Sequence, residues 1–324
     1  MAIATQRVLI VKTSTLGDIM HGLQVAQTLK ENDPGIEISW VARRRYEGMV
    51  RASSAVDRTF AFYRSGGVSA FWGLCRQLRR ERFDAILDMQ GLARSGLMTF
   101  FARAIRKIGR SDAREGATLF YRELAPLPRK PERLHPVEIL LEFCRVFGFP
   151  PELKGTVRFD SSSSSDWPVG ESEIAGTPRI VLAPEGRRPG LSWEGFEALA
   201  TSILGKFPRA RVLVITRGKT PWVNALGVKM GGRVQQMRSK DWLRIAIAIQ
   251  DSDVLVANVS DTLQIGAAVG VSTLGIFGPS DPNRTGAYPL SNPRNRALIA
   301  PDGRSEALSV DAVVGALSSA MERH

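Results

Sequence analysis

Residues 7–32 read RVLIVKTSTLGDIMHGLQVAQTLKEN. The run at 7–12 is short, β-branched and apolar, as a buried strand requires. TSTLGD follows as a loop, and HGLQVAQTLKEN (21–32) repeats apolar residues at helical spacing. Asp33-Pro34-Gly35 ends that helix. IEISWVA (36–42) then reads as a second strand, alternating at its start. Strand, loop, helix and strand in this order form the unit of a parallel sheet with crossover helices.

The alternation continues outward. Helices are predicted near 45–53, 66–82, 91–104 and 133–148, and strands near 57–62, 83–90 and 107–110. DSSSSSDWPVGESEIAGTP (160–178) is polar and rich in Ser, Gly and Pro, the composition of a linker. Alternation restarts beyond it. Strands are expected at 179–185, 211–216, 252–260 and 272–278, and helices at 192–208, 239–250, 262–270 and 304–322. The expected organisation is α/β: a Rossmann-like domain over 1–160, a linker over 161–178, a second Rossmann-like domain over 179–303 and a C-terminal helix within 304–324. Ligands of such sheets sit outside the carboxyl ends of the strands, so the strand-to-helix loops are where chemistry belongs.

Composition agrees with two domains. The chain has 324 residues, and single cores stop growing at roughly 250–300. Hydrophobic residues make up 44% and charged residues 23%, and no apolar run approaches a membrane span. The start, MAIATQRVLIVKTS, lacks the design of a signal peptide. Cys75 and Cys144 fit no metal or redox spacing, which suits reduced thiols in a cytoplasmic protein. A net charge of +12 favours a polyanionic partner: nucleic acid, an anionic membrane surface or a phosphorylated substrate. Much of the excess lies in 43–158, including Arg43-Arg44-Arg45. That stretch has neither the interleaved aromatics nor the motif spacing of a nucleic-acid binder.

Four loops can carry chemistry. Lys12–His21 opens a helix with small residues, and Asp18 at its mouth can accept a proton from a sugar hydroxyl; the plainer role of that acid is to stabilise the helix dipole. Asp88–Ser95 offers the amide of Gln90, the cation of Arg94 and a hydroxyl. Ser111–Tyr121 carries Arg114, suited to gripping a carboxylate. Gly278–Tyr288 is a turn fixed by Gly-Pro and Asp-Pro.

VLIVKTSTLGDIMH (8–21), LDMQGLARS (87–95), DAREGATLFY (112–121) and GPSDPNRTGAYP (278–289), in this order, resemble the lipopolysaccharide heptosyltransferases, nearest the heptosyltransferase I type of glycosyltransferase family 9. The resemblance covers nearly the whole chain. It implies a GT-B fold, two Rossmann-like doubly wound domains facing a central cleft, and metal-independent, inverting transfer of heptose from ADP-heptose to a Kdo residue of the inner core. Asp18 would be the general base. Ser14, Gln90, Arg94 and Arg114 would bind the acceptor, with the arginines meeting Kdo carboxylates and lipid A phosphates. Thr15, Gly17, Arg187, Arg188, Ser260, Asp261, Thr262 and Gln264 would bind the donor. No metal or other cofactor is implied. The partners would be the nucleotide sugar and the Kdo-lipid A acceptor, at the cytoplasmic face of an anionic membrane and without nucleic acid.

The donor side departs from the family pattern. The family carries Asp-Ser/Thr-Gly-x-x-His where this chain has Val259-Ser260-Asp261-Thr262-Leu263-Gln264; a two-residue shift would instead recover Asp261-Thr262 as the Asp-Thr pair. PEGRRPGLSW (184–193) lacks the Lys or Arg usual just before the Trp, leaving Arg187 or Arg188 to reach in. Ile215–Lys219 is not followed by the usual ribose-binding acid. The alternative expectation is therefore a relative with an altered donor, or with catalysis lost, that still binds anionic saccharide.

Overall fold

The computed structural model describes residues 6–160, 167, 177–186 and 192–321. The chain divides into two compact units, the first ending at Phe159 and the second beginning at Asp160.

The first unit is a six-stranded parallel sheet. Its strands are β1 (Arg7–Val11), β2 (Glu37–Arg43), β3 (Arg58–Phe62), β4 (Arg82–Asp88), β5 (Arg103–Arg110) and β6 (Glu123–Ala125), in the order β3-β2-β1-β4-β5-β6. Val8 of the central β1 faces Ile38 on one side and Ala85 on the other. Residues 8–11 are fully buried, as expected of a strand covered on both faces. The helices are α1 (Leu16–Asn32), α2 (Arg44–Arg51), α3 (Gly67–Arg80), α4 (Ala93–Phe101) and α5 (Pro136–Arg145). One core packs Leu9, Val41, Phe60, Leu78, Ile86 and Met98 together. On α1, a Cβ at position 22 would lie 2.8 Å from the Trp40 ring, so Gly22 lets the helix settle on β2.

The second unit repeats the design. Its strands are β7 (Arg179–Ala183), β8 (Arg211–Thr216), β9 (Val234–Arg238), β10 (Val254–Asn258), β11 (Ser272–Phe277) and β12 (Asn295–Ile299), ordered β12-β11-β10-β7-β8-β9 and all parallel. Its helices are α6 (Phe196–Lys206), α7 (Pro221–Lys229), α8 (Trp242–Gln250), α9 (Asp261–Val269), α10 (Pro282–Thr285) and α11 (Val310–Met321). Phe196, Leu199, Val214, Val256, Ile276 and Leu317 share its core.

The C-terminal helix and the linker differ from expectation. The last helix begins at Val310 rather than 304. Asp302 and Gly303 take left-handed backbone angles, so short 3-10 turns at Pro301–Gly303 and Ser305–Ala307 precede it. Within the expected linker, Trp167 is buried and its Nε1 donates to the Ala248 carbonyl at 2.9 Å; most of the remainder lies outside the described residues. In each sheet the chain reverses direction of travel once, between β1 and β4 and between β7 and β10. A parallel sheet opens a crevice at such a switch point.

Candidate active site

At the first switch point, side chains and backbone join three loops. Lys12 follows β1 directly and is 4% exposed. Its Nζ donates to the Met89 carbonyl at 3.2 Å, and its own carbonyl accepts from Trp40 Nε1. The Thr13 amide donates to Gln90 Oε1 at 3.2 Å. Asp88, wholly buried at the end of β4, accepts the Gln90 and Gly91 amides at 3.0 Å each and the Tyr121 hydroxyl at 2.7 Å. Gly91 takes φ +68°, which a side chain would strain. Its carbonyl accepts the Arg114 amide at 2.9 Å, and Glu115 accepts the amide of Ala93 at the start of α4.

Asp18 lies in the first turn of α1. Its Oδ2 accepts Ser14 Oγ at 2.6 Å and Thr15 Oγ1 at 2.9 Å. Thr15 holds the N-cap position, but its hydroxyl turns to Asp18 rather than to the helix amides. Gly17 is buried one residue away. The structure thus gathers Ser14, Thr15, Gly17, Asp18 and Gln90. Arg94, in the first turn of α4, and Arg114, on the loop after β5, are exposed. The Arg94 guanidinium lies 5.6 Å from the Phe62 ring centre, beside a groove lined by Arg43, Arg44, Arg45, Tyr63 and Arg64.

The charges at this point are coupled. Burial alone would raise the Asp18 pKa, but the Lys12 ammonium, the Ser14 and Thr15 hydroxyls and His21 outweigh it and hold the carboxyl down to about 2. Burial pushes Lys12 below the ordinary lysine value, with Asp18 opposing. Burial pushes Asp88 up against its hydrogen bonds, and burial together with Asp88 raises Tyr121. Arg110, at the end of β5, makes a two-point pair with Asp112 at 2.8 and 2.6 Å. Lys12, Asp88, Arg110 and Tyr121 were not singled out as site residues from sequence. The readable signal was position: each polar group ends or follows a buried strand or a motif already noted.

At the second switch point, Asn258 closes β10. Its amide donates to the carbonyls of Pro184 and Trp193 and accepts the Trp193 amide. Val259 is the first residue past the strand, Ser260 the N-cap of α9, and Asp261 the first helical residue. Ser260, Asp261 and Thr262 line a pocket with Ala183, Glu185, Ile215, Arg217 and Trp242. Gln264 takes no part in lining it. It is 3% exposed, and its Nε2 donates to the carbonyls of Thr285 and Gly286 at 2.9 and 3.1 Å. Its place inside α9 turns it toward the 278–288 loop, so it serves as a brace for that loop. Arg187 and Arg188 lie outside the described residues. Gln264→Ala is expected to remove about 2 kcal/mol of stability by stranding two carbonyls; thermal unfolding with an unchanged midpoint would contradict the brace.

Among the described residues, no three His, Cys, Asp or Glu side chains gather as metal ligands, and no helix is long and apolar enough to cross a membrane. Cys75 and Cys144 are buried thiols whose pKa values burial raises to about 11 and about 12.

Comparison with known proteins fits this geometry. Two doubly wound units of this kind are the GT-B architecture: the structure of Escherichia coli heptosyltransferase WaaC with ADP matches at a TM-score of 0.78, over 97% of this chain and 100% of that one, at 21% identity. E. coli ADP-heptose lps heptosyltransferase II matches at 0.73, over 98% and 99%, at 18% identity. The chain is a glycosyltransferase. The model of glycosyltransferase family 9 (heptosyltransferase) matches residues 71–206, and similarity to curated heptosyltransferases extends well beyond them. The lipopolysaccharide core heptosyltransferase OpsX of Haemophilus influenzae is 23% identical over 88% of this chain and 82% of its own length. Lipopolysaccharide heptosyltransferase 1 of Pseudomonas aeruginosa is 26% identical over 87% and 81%.

Proposed function

We propose that the protein transfers heptose from ADP-heptose to a Kdo residue of the lipopolysaccharide inner core, inverting the anomeric carbon without a metal or other cofactor. The observation that carries this reading is Asp18, an ionised carboxylate oriented by two hydroxyls at a switch point. An acceptor hydroxyl attacks the anomeric carbon, the new C–O bond forms as the glycosyl–phosphate bond breaks, and ADP leaves with the electron pair. The hydroxyl proton passes to Asp18. A carboxylate this weakly basic takes the proton late, once bond formation has made the attacking oxygen acidic. Its fixed negative charge also favours the positive character that develops on the sugar.

The first unit serves the acceptor through Ser14, Gln90, Arg94 and Arg114. The arginine groove beside Arg94 suits an anionic acceptor presented at a membrane surface. The second unit serves the donor through Ser260, Asp261 and Thr262, with Thr15, Gly17, Arg187 and Arg188 as further donor residues. Arg114→Ala is expected to raise the acceptor KM about tenfold with the donor KM unchanged; an unchanged acceptor KM removes Arg114 from the site.

One observation favours a second reading. Asp261 puts a carboxylate at the start of α9, inside the pocket, where it opposes a diphosphate. On that reading the protein keeps the saccharide and has altered or lost the donor. Incubation with ADP-heptose and a Kdo-bearing lipid A acceptor, followed by mass spectrometry, decides: addition of one heptose supports transfer, and its absence despite saccharide binding supports the second reading.

A further inference from the structure

We infer that Glu185 reads the ribose of the donor nucleotide and so determines its selectivity for a ribonucleotide; the inference rests on the donor reading of the second-unit pocket. Three surfaces divide that pocket. Ile215, Ile245 and the half-buried Trp242 give an apolar wall suited to a flat base. Ser260 and Thr262 with the start of α9 give hydroxyls and amides suited to phosphate oxygens. Between strand ends β7 and β8 stands Glu185.

Its geometry selects hydroxyl groups. The Arg217 amide donates to Glu185 Oε1 at 2.5 Å, and Arg217 Nε lies 3.3 Å from Oε2. The carboxylate is therefore held in one direction by backbone, while 39% of its side chain stays open to solvent. An ionised carboxylate only accepts hydrogen bonds. A phosphate offers it none and is repelled, whereas the vicinal diol of a ribose offers two donors. Doubly wound nucleotide-binding units use an acid in this way on the ribose hydroxyls. The other carboxylate lining the pocket, Asp261, sits at the phosphate end. The 215–219 segment supplies no acid of its own; instead its Arg217 aims the carboxylate that arrives from β7. Gly186 next to Glu185 lets the chain pass close to Ser192, since a Cβ would meet Ser192 Oγ at 2.1 Å.

The test is calorimetric binding of ADP, 2′-deoxy-ADP and 3′-deoxy-ADP to the full chain and to Glu185→Ala. The unaltered protein is expected to bind ADP at least about tenfold more tightly than one or both deoxy analogues, the effect of a hydrogen bond to a charged group. Glu185→Ala should bind ADP as weakly as the unaltered protein binds that analogue, with the analogue's own affinity unchanged. Equal affinities of the unaltered protein for all three overturn the assignment without any substitution, and so does discrimination that survives in Glu185→Ala. Absence of ADP binding by the unaltered protein defeats the donor reading itself, and the role of Glu185 with it.

Discussion

Asp18→Asn is expected to lower the rate of heptose transfer by about 10³-fold, the scale of a lost general base, while ADP still binds. The substitution keeps the shape of the side chain and one oxygen able to accept from Ser14 or Thr15. It removes the proton acceptor and the charge that faces the buried Lys12. The same coupling fixes a pH dependence. Asp18 is held at about 2 when folded, against about 3.9 for an unfolded aspartate. Its contribution to stability, roughly 2–3 kcal/mol, is present above pH 4 and is lost as pH falls through the folded value. The rate should therefore show no acid limb from Asp18 between pH 4 and 7. Such a limb near pH 6, absent in the Asn variant's residual activity, would mean that Asp18 is not the ionised base described above.

Asp88→Ala carries the largest expected cost in stability, roughly 3 kcal/mol, because it strands two amides and a tyrosine hydroxyl in a buried place. Transfer should fall as well, since Asp88 fixes the loop that bears Gln90 and leads into α4, where Arg94 lies. Urea unfolding measures the first effect and steady-state kinetics the second. Tyr121→Phe removes one of the three bonds and should cost less than half as much. A midpoint for Asp88→Ala within error of the parent would show that the loops are held by something else.

Much of this was legible in the sequence because the central strands are unmistakable. RVLIV, RIVLA and VLVAN are continuous apolar runs, as doubly covered strands must be. The edges were harder. β9, VQQMR, puts two glutamines in a sheet edge, and β6 has three residues. β5 begins at Arg103 rather than 107; Arg106 and Lys107 stand side by side and Ile105 is exposed, so its first half shows no strand alternation. The Pro221 that opens α7 is a start signal that periodicity alone did not reveal. At the site, Asp18 and its two hydroxyls were readable as one local motif. Gln264 was not: its partners lie 21 and 22 residues away, and that separation appears only after β11 and α10 are folded. The pairing of Glu185 with Arg217, 32 residues apart, was hidden for the same reason.

The way the loops are tied bears on how such a sequence can diverge. In the first unit Gln90 and Glu115 accept the backbone amides of Thr13 and Ala93, while Tyr121 donates to the Asp88 side chain. Of these three ties the Tyr121–Asp88 bond alone joins two side chains, so those two positions are constrained to change together. In the second unit Asn258 and Gln264 grip backbone carbonyls at Pro184, Trp193, Thr285 and Gly286. A carbonyl is offered by every amino acid, so the side chains beside those ties can be exchanged one at a time. The departures from the family pattern at 184–193, 215–219 and 259–264 all fall in that second unit. Side chains at 184–193 and 259–264 can therefore change one by one while Asn258 and Gln264 keep the surrounding loops in place.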